Sequence, residues 1–137
     1  MNMKQILAKA ACAAIAFAAA APASAQEALE GQWKNAKGSV VVQVEPCGRS
    51  WCGTVVHATE KAKAGARKGG TTNLIGTRIL SNVRPEGNGV YRGRAFDPKR
   101  NVRAPATIRV LGPSTLLVKG CLIGGLLCKE QRWTRIS

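Results

Sequence analysis

The sequence predicts a small all-β domain, an up-and-down antiparallel barrel of about eight short strands behind an N-terminal signal peptide. Turn-forming residues recur at roughly 8–12-residue intervals, and the segments between them alternate apolar and polar residues with a period of two. No helix of useful length and no internal repeat follows the leader. A β-sandwich fits the same pattern, but a barrel is favoured because closure removes exposed strand edges in a small domain.

Residues 1–25 have the layout of a cleavable signal peptide. Lys4 and Lys9 give a basic start, an apolar run follows, and positions 23–25 form a small-x-small cleavage site. The apolar run is about a dozen residues long, which is too short to span a bilayer. The sequence therefore predicts a periplasmic or secreted chain with one domain over residues 31–136 and no membrane anchor.

The cysteines predict two local disulfides. Cleavage removes Cys12 and leaves Cys47, Cys52, Cys121 and Cys128, and an even number in an exported chain is typical of disulfides. Hairpin geometry favours the pairs Cys47–Cys52 and Cys121–Cys128. A zinc site is the alternative, but the two pairs would have to converge, and their spacings are not those of a zinc knuckle. We expect no metal and no cofactor.

The first hairpin follows an opening segment in which Gly31 stands two residues before Trp33. Strands are predicted at 40–45 and 51–58, where valines alternate with polar residues. If the two cysteines lie opposite each other, Val44 faces Val55 and Val42 faces His57.

The segment 59–73 has no strand pattern and is predicted to be a mobile basic loop with at most one helical turn. Its cations, the candidate contacts for an anionic surface, are Lys61, Lys63, Arg67 and Lys68. A short strand is predicted at 74–80, a turn at 84–89, and two further strands at 90–96 and 102–110.

The closing hairpin is predicted around Gly124-Gly125, a pair typical of tight turns. This register places Cys121 opposite Cys128, Lys119 opposite Glu130, and Leu116 opposite Trp133. We expect the face that carries Trp133 to point inward. The same inward face includes Gly120, Lys129, Gln131 and Arg135.

Several motifs resemble the exported bacterial family called domain of unknown function 2147, over roughly residues 31–136. They are Gly31-x-Trp33, the E-P-C-G-x-x-x-C-G run at Glu45–Gly53, Tyr91-x-Gly93 before Asp97-Pro98, and the closing L-x-V-x-G-C…C-x-x-Q-x-W-T-R. The resemblance implies a lipocalin-like (calycin-like) eight-stranded barrel whose biochemical activity is not established. Two departures stand out: Tyr91 replaces a common tryptophan, and 61–70 replaces a segment that is often richer in Asp, Asn and Pro.

The resemblance also implies how the barrel closes. In lipocalin-like barrels an arginine from the end of the barrel covers a tryptophan of the first strand, which glycine precedes by two residues. Gly31, Trp33 and Arg135 match those roles, with Trp133 beside them. A guanidinium over an indole stabilises by about 0.5–2 kcal/mol, so this arrangement is structural.

Nothing in the sequence points to catalysis, and we expect a protein that is not an enzyme. His57 is a lone histidine, the acids form no close pair, and nucleophile motifs and phosphate-cradling loops are absent. An eight-stranded barrel can instead enclose one small ligand, and small residues at inward positions favour a cavity. The residues predicted to line it are Gly53, Val55, Gly93, Ala95, Ala104, Ala106 and Gly120.

The sequence therefore predicts a lipocalin-like binder of a small hydrophobic or amphipathic ligand in the cell envelope. The alternative is a structural or interaction module, because 21 basic against seven acidic residues give a net charge of +14. Such charge favours anionic envelope polymers or lipid headgroups. Nucleic acid is disfavoured for an exported protein without a basic motif interleaved with aromatics.

Overall fold

The computed structural model describes residues 28–122 and 127–137. The predicted signal peptide and the predicted Gly124-Gly125 turn lie outside the described residues. The described chain forms eight strands and one helix between the third and fourth strands. They are β1 (Gly31–Lys34), β2 (Val40–Cys47), β3 (Ser50–Ala58), α1 (Glu60–Lys68), β4 (Arg78–Gly87), β5 (Val90–Asp97), β6 (Val102–Gly112), β7 (Thr115–Leu122) and β8 (Leu127–Arg135).

The strands close into a barrel in sequence order, each antiparallel to the next, and β8 pairs with β1. The predicted up-and-down barrel is confirmed. Its interior is one continuous apolar cluster that includes Trp33, Tyr91, Leu116 and Trp133. On β6 the residues Ala104, Ala106 and Ile108 are buried while their neighbours in sequence are exposed or half-buried, as strand alternation requires.

The segment 59–73 was predicted as a mobile loop, and that prediction is wrong, because residues 60–68 form α1. Thr59 caps the helix: its Oγ1 accepts a hydrogen bond from the amide of Ala62 at 3.1 Å. Ala62 and Ala66 are buried on one face, four residues apart. Two alanines bury little area, so the periodic signal in the sequence is weak, and the tertiary contact decides the conformation.

The register of the first hairpin also differs from the prediction. Cys47 lies opposite Ser50, and Val42 lies opposite Val55 instead of His57. The turn is therefore a tight two-residue connection in which Gly48 adopts a left-handed φ of 64°. Cys47 and Cys52 sit on the diagonal of the ladder, with Cα atoms 5.7 Å apart, and still form the predicted disulfide.

Strand β4 extends into the predicted turn at 84–89 and begins only at Arg78. Its ladder with β5 is irregular between Ser81 and Arg84, where Asn82 takes a φ of 51°. The actual connection to β5 is at Asn88 and Gly89, which both have positive φ. The bulge lets the chain continue as a strand through Pro85, which pairs with Tyr91.

The register predicted for the closing hairpin is confirmed. Cys121 lies opposite Cys128, Lys119 opposite Glu130, and Leu116 opposite Trp133. The Cys121–Cys128 disulfide is present, as predicted. Lys119 and Glu130 share the outer face, although the ion pairs between described residues are formed elsewhere.

Candidate functional site

One end of the barrel is sealed by Arg135. Its guanidinium carbon lies 4.3 Å from the centre of the Trp33 ring. Its nitrogens donate to the carbonyls of Ala28 (2.8 Å), Glu30 (2.6 Å) and Pro113 (2.8 Å). These bonds tie the start of β1 to the turn between β6 and β7. This arrangement closes that end of the barrel.

Trp33 and Gly31 complete the sealed end. The Trp33 indole Nε1 donates to the carbonyl of Leu29 at 2.9 Å, and the ring is fully buried. Gly31 has a φ of 132°, and a side chain at this position would collide with the Ser137 carbonyl and with Arg135 Nη1. Glycine is therefore required both by the backbone conformation and by the close approach of Arg135.

Helix α1 covers part of the opposite end. Val55, one of the residues predicted to line a cavity, packs with Ala62, Ala66 and Leu74 beneath the helix. At the far side of the helix the Thr71 hydroxyl donates to the carbonyl of Pro98 at 3.0 Å. The helix thus crosses the rim from β3 to the turn between β5 and β6 and acts as a partial lid.

The rim opposite α1 is formed by the end of the closing hairpin. Strand β8 pairs with β1 only at Thr134 and Arg135, and the ladder between β6 and β7 starts at Ala106 and Gly120. We call residues 121–122 and 127–131 the projecting hairpin. Its two strands pair with each other and extend beyond the ladders with β6 and β1.

The small residues predicted to line a cavity divide into two groups. A Cβ at Gly53 would lie 2.9 Å from Val42 Cγ1, and one at Gly93 would lie 2.6 Å from the Ser81 carbonyl. Neighbouring atoms therefore come close to both glycines, and the prediction that Gly53 and Gly93 line a cavity stays a prediction. Gly120 differs, since a Cβ built there meets no atom within 4 Å.

The remaining small residues lie around Gly120 on the wall formed by β5–β7. Ala106 is directly opposite Gly120, and Ala95 is directly opposite Ala104. Ala104 and Ala106 are buried and Ala95 is half-buried. They form a wall of small side chains that runs from the packed interior to the open position at Gly120.

The inward face of β8 carries three polar groups, in order from Trp133 near the sealed end to Lys129 at the rim of the projecting hairpin. Trp133 is 4% exposed, and its indole Nε1 is buried with no hydrogen-bond partner among the described residues. Gln131 and Lys129 follow on the same face and are exposed. The inward column thus passes from a buried donor to a cation at the rim. Strand alternation in the sequence places these residues on the inward face, whereas the missing partner of the Trp133 donor is known only from the structure.

Two titratable residues of the barrel differ in exposure, since His57 is exposed and Tyr91 is buried. His57 is exposed on β3, and the described residues contain no group of three or more His, Cys, Asp or Glu that could hold a metal ion. Burial raises the pKa of the Tyr91 phenol, which is 2% exposed. Within the described part of the chain, no helix is long and apolar enough to cross a membrane.

The basic residues predicted as surface contacts all lie on α1. Lys61, Arg67 and Lys68 are exposed, whereas the Lys63 ammonium forms an ion pair with Glu60 at 3.1 Å. Arg67 and Lys68 occupy the last turn, where their charges interact favourably with the helix dipole.

An eight-stranded meander that closes in sequence order, with an arginine stacked on the first-strand tryptophan, defines a lipocalin-like barrel. The structure of protein HP1028 from the human pathogen Helicobacter pylori, described as belonging to the lipocalin family, is similar with a TM-score of 0.63. The identity is 15%, and the match covers 80% of this chain and 83% of that chain. The chain belongs to the family described as uncharacterized protein conserved in bacteria (DUF2147), whose model matches residues 31–135. No match is found among the curated proteins.

Proposed function

We propose that this protein is a non-enzymatic binder of a small amphipathic molecule, which it holds along the inward face of β8, from the end of the barrel between α1 and the projecting hairpin towards Trp133. The apolar part of the ligand packs on Ala104, Ala106 and the open position at Gly120. Its polar part carries a hydrogen-bond acceptor and faces the inward column of β8.

The observation that carries this proposal is the unpartnered indole Nε1 of Trp133. A buried donor without a partner costs about 1–3 kcal/mol, and a ligand acceptor would remove that cost. Lys129 at the rim favours an anionic or strongly polar head on the same molecule. Lipocalin-like barrels can hold one small ligand in their interior, which agrees with the position of this site.

The proposed location is the cell envelope. Two disulfides are characteristic of an oxidising compartment, and the sequence of residues 1–25 has the layout of a signal peptide. Native mass spectrometry of protein purified from its own envelope would identify a co-purifying ligand by mass.

Binding is tested with laurate as the probe, using delipidated protein and isothermal titration calorimetry. We expect Ala106→Phe, which fills the wall beside Gly120, to fold and to lose at least tenfold in laurate affinity. Thr107→Phe is the matched control, because it adds the same ring on the outer face of the same strand. Trp133→Phe removes the indole N–H donor but keeps an aromatic ring. Because dodecane has no acceptor for this donor, we expect the substitution to weaken laurate binding more than dodecane binding.

Two outcomes would reject the proposal. If Ala106→Phe fails to fold while Thr107→Phe folds, the interior is already full and holds no ligand. If neither native mass spectrometry nor laurate titration detects binding, the barrel is a scaffold.

The alternative function, an interaction module for anionic envelope polymers, is favoured by the exposed Lys61, Arg67 and Lys68 on α1. Lys63 contributes less because it is paired with Glu60. Neutralising the three exposed cations would then weaken a salt-sensitive attachment and leave laurate binding intact.

A further inference from the structure

Charge is distributed unevenly around the barrel. The ladder strands β1–β3 contain one cation, Lys34, and one acid, Glu45. Strands β4–β8 contain ten basic residues and three acids, Glu86, Asp97 and Glu130. A surface that only kept the protein in solution would need no such segregation.

Seven of these cations form one continuous patch on the outer face of β4–β8, which we call the arginine face. All seven are exposed. They are Arg84, Arg92, Arg94, Arg103, Arg109, Lys119 and Arg132.

The strand register brings these cations close to one another. Arg84 lies directly opposite Arg92. On β6, Thr107 lies opposite Arg92, and Arg109 is the next residue on the same outer face. On β7, Lys119 lies opposite Thr107. Direct and diagonal neighbours in a sheet are about 5–8 Å apart. This is no more than the Debye length of about 8 Å at physiological ionic strength, so the cations repel one another in the folded protein.

The described acids neutralise only part of this charge. Glu130 lies directly opposite Lys119 and two residues from Arg132 on the outer face. Arg92 forms an ion pair with Glu86 at 2.9 Å, and the Arg103 guanidinium lies over the Phe96 ring at 4.9 Å. The other five cations have no ion pair among the described residues. Like charges directly opposite each other destabilise a sheet, and a multivalent anionic surface would remove that repulsion.

The chemistry of the patch matches phosphate at an apolar boundary. Six of the seven cations are arginines, whose planar forks bind phosphate oxygens in pairs. Apolar side chains lie between them: Leu117 is directly between Arg109 and Arg132, and Leu111 on β6 is 44% exposed. A lipid interface accepts such side chains, whereas a hydrated polysaccharide does not. The Phe96 ring is covered by Arg103, so it offers no platform for stacking of nucleic-acid bases.

We propose that the arginine face docks the barrel side-on to a bilayer surface that bears anionic phosphate headgroups. The docking requires no interior ligand, so it goes beyond the proposed function and can fail or succeed independently of it.

Vesicle flotation tests the inference with the full mature chain. Vesicles of phosphatidylcholine alone are compared with vesicles of equal parts phosphatidylcholine and phosphatidylglycerol. The face variant combines Arg94→Gln, Arg109→Gln and Arg132→Gln. The control variant combines Lys61→Gln, Arg67→Gln and Lys68→Gln on α1, which removes the same net charge from exposed positions elsewhere.

We expect wild-type protein to bind the anionic vesicles and not the neutral ones. Each cation near the surface contributes roughly a factor of five, so the face variant should bind on the order of a hundredfold more weakly. The control variant should stay within a few-fold of wild type. We expect both variants to fold, because every substituted residue is exposed. Thermal melting checks this.

Four outcomes would overturn the inference. The first is that wild-type protein does not bind anionic vesicles, and the second is that both variants lose vesicle binding equally. The third is that only the α1 variant loses vesicle binding. The fourth is that wild-type protein binds a short DNA duplex or alginate more tightly than the vesicles. Equal losses would mean that net charge alone governs binding. A loss confined to α1 would support the alternative function instead.

Discussion

At the scale of single residues, the barrel depends on a few side chains that connect segments distant in sequence. Arg135 is the clearest, because its guanidinium contacts the Trp33 indole and the carbonyls of Ala28, Glu30 and Pro113, which are far apart in the sequence. No other cation type has a planar group with donors along its whole edge. The residue therefore acts through its shape as much as through its charge.

Substitution of Arg135 should lower stability without changing the charge pattern of the exterior. We expect Arg135→Ala to cost about 2–3 kcal/mol of unfolding free energy, since the charged hydrogen bonds and the indole contact are lost together. Arg135→Lys should recover little, because one ammonium cannot reach the same carbonyls. Urea denaturation measures both. Arg132→Ala on the same strand is the exposed control and should change stability by less than about 0.5 kcal/mol. An unchanged Arg135→Ala midpoint would contradict the closure role.

We expect the protein to lose stability at high pH because the Tyr91 phenol is buried. Burial raises its pKa in the folded state, so above the ordinary phenol pKa of about 10 the unfolded chain loses the proton first. The folded state then binds more protons than the unfolded state, and stability falls as pH rises from that value through the folded pKa. Tyr91→Phe should flatten the decline measured by urea denaturation across this pH range. A decline of the same slope in Tyr91→Phe would assign it to other groups.

Residue roles were predictable where a short motif determines the geometry and not where packing determines it. Gly31, Trp33 and Arg135 are identifiable because they match the closure motif that the family resemblance implies, and the strand register places Arg135 on the inward face. The unpartnered Nε1 of Trp133 is not, because its environment depends on which acceptors the other strands bring near it. The arginine face is similar: the residues are visible in the sequence, but their adjacency requires the register of five strands.

At the scale of secondary-structure elements, strands and turns follow from alternation, and the errors occur where another constraint overrides it. Helix α1 is held by two small buried side chains and a Thr59 cap, and both are weak signals in a segment rich in Lys and Gly. The β2–β3 register is set by the tight turn at Gly48 and not by direct opposition of the cysteines. A diagonal disulfide satisfies the same covalent geometry, so cysteine spacing alone cannot fix the register.

The inner glycines of the strands should respond differently to alanine. Gly93→Ala places a methyl group 2.6 Å from the Ser81 carbonyl and 2.8 Å from Val83 Cγ2. We expect this overpacking to cost about 1–3 kcal/mol. Gly120→Ala meets no atom within 4 Å and should leave stability unchanged or raise it slightly. Thermal and urea melts of the two variants measure the contrast. Equal destabilisation would show that the end near Gly120 is as tightly packed as the centre.

At the scale of the whole molecule, the barrel was predictable because its topology is local: every strand pairs with its neighbours in sequence, and only β1 and β8 close the ring. Each hairpin could therefore be inferred independently from turn residues and alternation. What could not be inferred is how well each end is filled. That depends on long-range contacts such as α1 with Val55, and it separates the sealed end from the candidate site.

The two disulfides test whether the whole molecule unfolds as one unit. They close loops of similar length, with sequence separations of 5 and 7, so the chain-entropy model assigns each roughly 2 kcal/mol. Their settings differ: Cys52 is 3% exposed within the fully paired β2–β3 ladder, whereas Cys121–Cys128 lies on the projecting hairpin. Strands that extend beyond their neighbours open locally before the barrel unfolds.

We therefore expect Cys47→Ala/Cys52→Ala to lower the global unfolding free energy by about 2 kcal/mol or more. Cys121→Ala/Cys128→Ala should lower the global unfolding free energy by less than about 1 kcal/mol. The projecting hairpin opens locally in the native state, so this disulfide restricts that open state as well as the unfolded chain. Hydrogen exchange should show the complementary effect, with faster exchange confined to the ends of β7 and β8 in the second variant. Equal losses of global stability would mean that the projecting hairpin belongs to the cooperative unit. The candidate site would then be bounded by a rigid rim on that side.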